Sequence, residues 1–336
     1  MVIGNHKQMT KPALDVLAIG NAIVDVLAPV DDAFLGAQRL DKGGMRLIDA
    51  AEATRLYAAF PPAREMSGGS AANTAVGVAA LGGRAGFVGR VGDDELGEIF
   101  AHDIRAAGVA FETAPGFPEP PTARCLIAVT PDAQRTMSTY LGAAQQLDAA
   151  DMSDALVASA AILYLEGYLW DPERPRAAMR RAIDVARAAG RKVAFSLSDA
   201  FLLTRHGDDF RALLDAGLID VLFANEGEAV ALAGAEDFLG AAGWLAGKAS
   251  VVVVTRGAEG AVVLAGVERH WVPAVAVAEV IDTTGAGDLF AAGFLLGLAR
   301  GEALPRCAEL GAIAAGEVIS HYGARPEADL RALAGL

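Results

Sequence analysis

An alternation constrains this chain more than any other feature. Short runs of Val, Ile and Leu recur between Ala-rich stretches of helical period over most of the 336 residues. Runs this short and uniformly apolar, separated by helix-length segments, read as strands buried on both faces of a parallel sheet and joined by crossover helices. The strand candidates are Val16–Ile19, Ala85–Val91, Ala161–Leu165, Lys192–Ser196, Val221–Ala224 and Ser250–Thr255. Helices are expected at Ala71–Leu81, Leu96–Ala107, Pro175–Ala189 and Asp288–Leu298. Gly82-Gly83 and Gly190 stand where two of them should close. The expected fold class is α/β, a doubly wound and mostly parallel sheet flanked by helices.

Two segments break the alternation. Asn21–Asp49 opens on alternating apolar residues and carries Lys42-Gly43-Gly44 before Met45-Arg46-Leu47-Ile48. Thr122–Leu141 reads as two strand-like runs about a Pro131-Asp132 turn, a hairpin pattern. Either they are edge strands of the main sheet or they form a small separate β lid from two distant segments. The lid reading divides the chain into a large domain (1–20, 50–118 and 143–336) and a small one (21–49 and 119–142). A hydrophobic content of 53% with 21% charged residues is enough for a large core with an appendage.

Charge narrows the partners. With 28 Lys+Arg against 42 Asp+Glu the formal charge is −14. That argues against a nucleic-acid backbone or an anionic membrane surface as the main partner. A small anionic ligand stays open, because backbone amides at a helix start can hold phosphate. Two cysteines, Cys125 and Cys307, make no disulfide framework. Met1–Lys11 is polar, without the apolar core of a signal peptide, and no run reaches the roughly 18 apolar residues of a membrane span. A cytoplasmic protein is expected.

The chemistry concentrates in Val280-Ile281-Asp282-Thr283-Thr284-Gly285-Ala286-Gly287-Asp288-Leu289-Phe290. Small residues leading into an apolar helix would expose the amides of Gly285, Ala286 and Gly287 at its positive end, suited to a phosphate and to charge developing in transfer. Asp288, in the first turn, could accept a hydroxyl proton; as an alternative it merely caps the helix. The loop matches neither the P-loop nor the dinucleotide fingerprint. A second cluster, Ser67-Gly68-Gly69-Ser70-Ala71-Ala72-Asn73-Thr74, lets a ligand approach the backbone and offers the Asn73 amide to hydroxyls, or it is a plain helix start. Gly20-Asn21-Ala22-Ile23-Val24-Asp25 follows the first strand, where α/β sheets bind ligands. Asn225 and Glu228, three apart at a strand end, could support the waters of a hard cation, or simply start a helix. Thr255, Gly257 and Gly260 suit a nucleotide crossing a sheet edge, or a hairpin turn.

Taken in order, these motifs resemble the ribokinase-like (PfkB) family of carbohydrate and nucleoside kinases, from about Val16 to Pro326. The amino-proximal signature is similar to Gly68–Gly83 with Gly86-Phe87-Val88-Gly89-Arg90-Val91-Gly92-Asp93-Asp94, and the carboxy-proximal one to Asp282–Asp288. The resemblance implies an ATP-dependent phosphotransferase acting on a primary hydroxyl, with Asp288 as general base and Gly285–Gly287 as anion hole. It implies ATP contacts at Asn225, Thr255, Gly257, Gly260 and lid residue Arg135, and Mg2+ held through water by Asn225 and Glu228. Members that use K+ would hold it at Asp282, the Thr284 carbonyl and the loop around Gly323. Gly20-Asn21 with Asp25, the stretch Ser196–Phe201 and Leu222–Glu226 look most like the adenosine kinase branch. In that branch Asn21, Asp25, Gly68, Gly69, Ser70, Asn73 and Thr284 would bind the nucleoside, its base lying among Leu47, Leu141, Leu169 and Phe201. A kinase of ribose, fructose or 2-keto-3-deoxygluconate remains the alternative, and a non-catalytic family member is a third reading. An exposed lid edge leaves monomer and homodimer both open.

Overall fold

The alternation becomes an eight-stranded sheet in the computed structural model, which describes residues 12–114, 119–132 and 134–336. Met1–Lys11, on which the leader expectation falls, lies outside these residues. In chain order the strands are β1 (Leu14–Ile19), β2 (Ile23–Pro29), β3 (Met45–Leu47), β4 (Arg64–Gly68), β5 (Ala85–Val88), β6 (Ala123–Val129) and β7 (Arg135–Tyr140). They continue with β8 (Ala160–Glu166), β9 (Lys192–Ser196), β10 (Val221–Asn225), β11 (Val251–Thr255), β12 (Ala261–Ala265) and β13 (Glu268–Val272). The main sheet runs β13-β12-β11-β10-β9-β8-β1-β5, parallel from β11 to β5 and antiparallel at β12 and β13.

Strand period explains why both faces are covered. Val16 and Ala18 of β1, Ile162 and Tyr164 of β8, and Val251 and Val253 of β11 join one core cluster. Their neighbours Leu17, Ile19, Leu163, Leu165, Val252 and Val254 join the other. Helices Ser70–Ala80, Ala286–Ala299 and Leu304–Val318 close the first face; Glu173–Ala188, Ala200–Asp215 and Phe238–Leu245 close the second. The order reverses between β1 and β8, which leaves a crevice beyond their carboxyl ends.

A separate five-stranded sheet, β3-β7-β6-β2-β4, stands over that crevice. The 122–141 hairpin is its β6–β7 pair, with Cys125 opposite Thr139 and Ile127 opposite Met137. One correction concerns its extent: β4 comes from outside the two segments expected to form it. Arg-Glu-Met-Ser-Gly lacks an apolar alternation, yet it pairs antiparallel with β2, Asp25 opposite Met66 and Ile23 opposite Gly68. This pairing delivers the glycine turn at 68–69 to the crevice. Among the described residues no helix is long and apolar enough to cross a membrane.

Candidate active site

Two helix starts meet at one point. Helix Ala286–Ala299 begins at Gly285, whose φ of 79° is left-handed and which has no side-chain cap. A Cβ there would stand 2.5 Å from Ala324 Cβ. Gly285→Ala should therefore strain the loop and displace residues 323–325, lowering Tm by a few degrees in a thermal scan and turnover by a larger factor. The Ala286 amide is already taken by the Thr283 carbonyl at 3.2 Å, so the expected row of three free amides is partly engaged. Helix Ser70–Ala80 begins at Gly69, at φ 98°, and packs so closely that a Cβ on Gly77 would lie 2.6 Å from Ala292 Cβ.

That packing brings Asp288 between the two starts. Ser70 Oγ donates to its Oδ1 at 2.7 Å and Asn73 Nδ2 to its Oδ2 at 2.9 Å. Asp288 thus does not cap its own helix; its carboxylate is held by the neighbouring one. Burial raises its pKa, while Ser70, Asn73 and the Arg325 charge pull it down. Asn73 Oδ1 is buried without a partner. Asp25 lies against Gly68, where a Cβ would come within 2.4 Å of Oδ2. Burial pushes the Asp25 carboxyl up to about 6 against the pull of Arg325 and Arg135.

Asp25, Ser70, Asn73 and Asp288 line one side of a 380 Å³ cavity. Its roof is the inner face of the small sheet: Ile23 on β2, Cys125 and Ile127 on β6, Met137 and Thr139 on β7. The far wall is Tyr168, Ser196, Ser198 and Phe223. Ser198 holds a φ of 69°, costly for a side-chain residue, and accepts from the Gly167 amide at 2.9 Å. A second cavity of 670 Å³ is walled by Gly257, Gly260, Val275, Val277, Phe290 and Ile319. Thr255 and Gly287 border both cavities, so the two spaces meet at the helix start beside Asp288.

Other candidates have different placements. Asn21 is buried away from the cavity wall; its amide and Nδ2 both donate to Glu166 Oε1 at 2.7 Å. Glu166 Oε2 accepts from the Ala71 amide at 2.7 Å, a cap supplied to helix Ser70–Ala80 from across the sheet. Leu169 is wholly buried in the core beside Trp170, and Leu47 is 60% exposed on β3. Neither these two nor Leu141 or Phe201 lines the 380 Å³ cavity; the apolar surface there comes from Ile23, Ile127, Met137 and Phe223 instead. The alternation Cys125-x-Ile127 and Met137-x-Thr139 was the available signal for the roof. Cys125 is buried, and burial pushes its thiol up to about 12, as suits an unreactive wall group.

Arg135 projects from β7 to the loop at 282–284. Its Nη1 donates to Thr284 Oγ1 at 2.8 Å, and Nη2 stands 2.8 Å from Asp282 Oδ2, an ion pair by distance whose angle makes no hydrogen bond. Its Nε is buried and unpartnered. Asp282 also accepts from the Thr284 amide, Thr284 Oγ1 and the Gly323 amide. With these donors and a guanidinium already on that carboxylate, the side chain does not fit a K+ ligand in this arrangement. Asn225 and Glu228 form a reciprocal cap of helix Glu226–Ala233, Asn225 Nδ2 donating to Glu228 Oε1 at 2.7 Å. Both still line the 380 Å³ cavity. Among the described residues no three His, Cys, Asp or Glu side chains converge. One carboxylate plus an amide fits Mg2+ held through its waters, with phosphate oxygens as the direct ligands.

Comparison with known proteins shows the family. A solved adenosine kinase from Sinorhizobium meliloti is 51% identical, covering 96% of this chain and 98% of its own, with a TM-score of 0.89. A probable sugar kinase from Rhizobium etli is 46% identical over the same shares, with a TM-score of 0.90. A 5-dehydro-2-deoxygluconokinase from Geobacillus thermodenitrificans is 30% identical over 268 residues, 76% of this chain and 79% of that protein. The model of the pfkB family carbohydrate kinases matches residues 59–330, a span that takes in both helix starts and the loop between the cavities. The chain belongs to the PfkB family, and is a phosphotransferase that uses ATP and an alcohol acceptor on a sugar or nucleoside.

Proposed function

We propose that the chain phosphorylates the 5′-hydroxyl of adenosine to give AMP. The observation that carries this reading is the cavity between Asp25 and Asp288, polar at Asp25, Ser70, Asn73 and Asp288 and apolar at Ile23, Ile127, Met137 and Phe223. The polar side suits a ribose: the Asp25 carboxylate offers acceptors for hydroxyls, and Asp288 lies beside the junction with the second cavity. The apolar roof leaves room for a base that a free sugar lacks. Likeness to the Sinorhizobium meliloti enzyme supports the same branch.

In this reading the acceptor hydroxyl is positioned by the Gly69–Asn73 turn, and Asp288 removes its proton as the oxygen attacks the γ-phosphorus in line. The start of helix Ala286–Ala299 and Arg135 face the charge on the transferring phosphoryl group. Bound Mg2+ would supply charge neutralisation on the phosphates, with Asn225 and Glu228 orienting its waters. Thr255, Gly257 and Gly260 border the nucleotide, and the small sheet excludes water from the junction.

A sugar kinase is the second reading, favoured by the relatives named for sugar substrates. ADP release on adenosine, other nucleosides, ribose, fructose and 2-keto-3-deoxygluconate separates the two. Adenosine is expected to exceed every free sugar by roughly 10²-fold or more in kcat/KM, because a free sugar leaves the roof unfilled. Strong turnover of a free sugar with none of adenosine overturns the proposal.

A further inference from the structure

A cation behind the acceptor site remains after the glycine turns and Arg135 are accounted for. Arg325 lies in the segment after helix Leu304–Val318. The residue is partly exposed along its length, but its charged end lies deep, and burial lowers the guanidinium to about 10. It is therefore still charged at neutral pH.

Its hydrogen bonds all go to neutral oxygens. Nε donates to the Ser67 carbonyl at 3.0 Å, Nη1 to the Ala72 carbonyl at 3.2 Å, and Nη2 to Ser67 Oγ at 2.8 Å and the Ser67 carbonyl. Ser67 and Ala72 bracket the turn that presents Ser70 and Asn73 to Asp288. The Ser67 hydroxyl donates to Asp103 Oδ2 at 2.5 Å, and its amide donates to the same oxygen at 2.8 Å. Uncharged donors could make these bonds without the cost of desolvating a cation. The charge is free to act on the carboxylates around it, which are Asp25, Asp103 and Asp288.

Those carboxylates need it. Asp288 raises the pKa of Asp25 on β2, Tyr164 and Glu166 on β8 and Tyr168 just after it, while Ser70 and Asn73 on the facing helix and the Arg325 charge pull Asp288 itself down. Every charged member of that set other than Arg325 is an acid. Arg135 acts on Asp25 from the small sheet.

We propose that Arg325 is a positioning residue of the acceptor site, the counter-charge that lets Asp25 and Asp288 be ionised together and the brace that holds the 67–72 turn against Asp288. This rests on Asp288 being the base. The test is the pH dependence of kcat/KM for adenosine in Arg325→Met and Arg325→Lys, with KM for ATP and Tm measured alongside. Arg325→Met should move the acid limb up by about one pH unit or more, since one nearby opposite charge is worth that much to a carboxylate. It should raise KM for adenosine and leave KM for ATP within about twofold. Arg325→Lys keeps the charge and loses the fork, so its acid limb should stay near the wild-type position while KM for adenosine rises. Should Arg325→Met not fold, Asp103→Asn frees more of the charge for Asp288 and should shift the limb down. An acid limb that stays in place in folded Arg325→Met, or in Asp103→Asn where Met does not fold, overturns the proposal and leaves Arg325 as a brace alone. Asp288→Asn keeps the two readings apart: if it abolishes turnover while the limb is insensitive to Arg325, only the counter-charge is wrong; if it turns over normally, the base is wrong.

Discussion

Asp288→Asn is expected to lower kcat by about 10³-fold while KM for the acceptor changes by no more than a few-fold, because general-base catalysis contributes on that order and an amide cannot take the proton. The substitution should not disturb the fold. Ser70 Oγ can still donate to the amide oxygen in place of Asp288 Oδ1. The new NH2 would face Asn73 Nδ2, but Asn73 Oδ1 is buried and unpartnered, so a flip of the Asn73 amide restores the bond. The pH profile gives an independent check. Asp288 must be ionised to accept a proton, and burial holds its pKa above the usual carboxylate value. Wild-type activity should therefore fall as pH drops through that raised pKa, and the residual rate of the variant should lack this limb. Stopped-time ADP release across pH 5–9, with adenosine binding by calorimetry, measures both; a variant retaining near-wild-type kcat would remove Asp288 as the base.

Much of this architecture could be read from residue order, and the failures share a cause. Strands buried on both faces are uniformly apolar, so β1, β8, β10 and β11 announce themselves within a residue or two of their observed ends. The 122–141 hairpin is legible from its period and turn. β4 was not, because pairing with β2 rather than its own polarity makes Arg64–Gly68 a strand. Leu47 and Leu141, expected beside a base, do not line the cavity, because parity along a strand says which residues share a face but not which face looks inward. Once the sheet is in place, Arg135, Met137 and Thr139 share one side of β7. Leu169 reads as site-lining from its position after β8, yet the turn at 167–170 directs it into the core. The partners of Glu166 and the role of Arg325 are hidden more deeply. Each acts on residues about a hundred or more positions away, Glu166 on Asn21 and Ala71, Arg325 on Ser67 and Ala72. A long-range buried charge has no periodicity or local spacing to betray it.

Asp25→Asn is expected to raise KM for adenosine by roughly 10²- to 10³-fold with a smaller effect on kcat, since it weakens two hydrogen bonds to a charged acceptor, each worth roughly 1.5–3 kcal/mol. Asp25 is suited to this because its residue lines the cavity and its carboxylate packs directly against Gly68. The free protein should respond in the opposite sense. A carboxyl raised to about 6 in the fold from 3.8 is one whose ionised form the fold disfavours, so its destabilising contribution is complete above pH 6 and vanishes below the unfolded value. Asp25→Asn should thus raise Tm of the ligand-free protein at pH 8, with the gain shrinking toward pH 4. The ribose contact itself is tested by a cycle with 2′- and 3′-deoxyadenosine. Wild type should discriminate against each deoxynucleoside by roughly 10- to 10²-fold, and Asp25→Asn should lose most of that discrimination because the partner of the missing hydroxyl is already gone. Equal discrimination in wild type and variant would mean that Asp25 does not hold the diol, and that the raised carboxyl beside the cavity serves a different group of the acceptor.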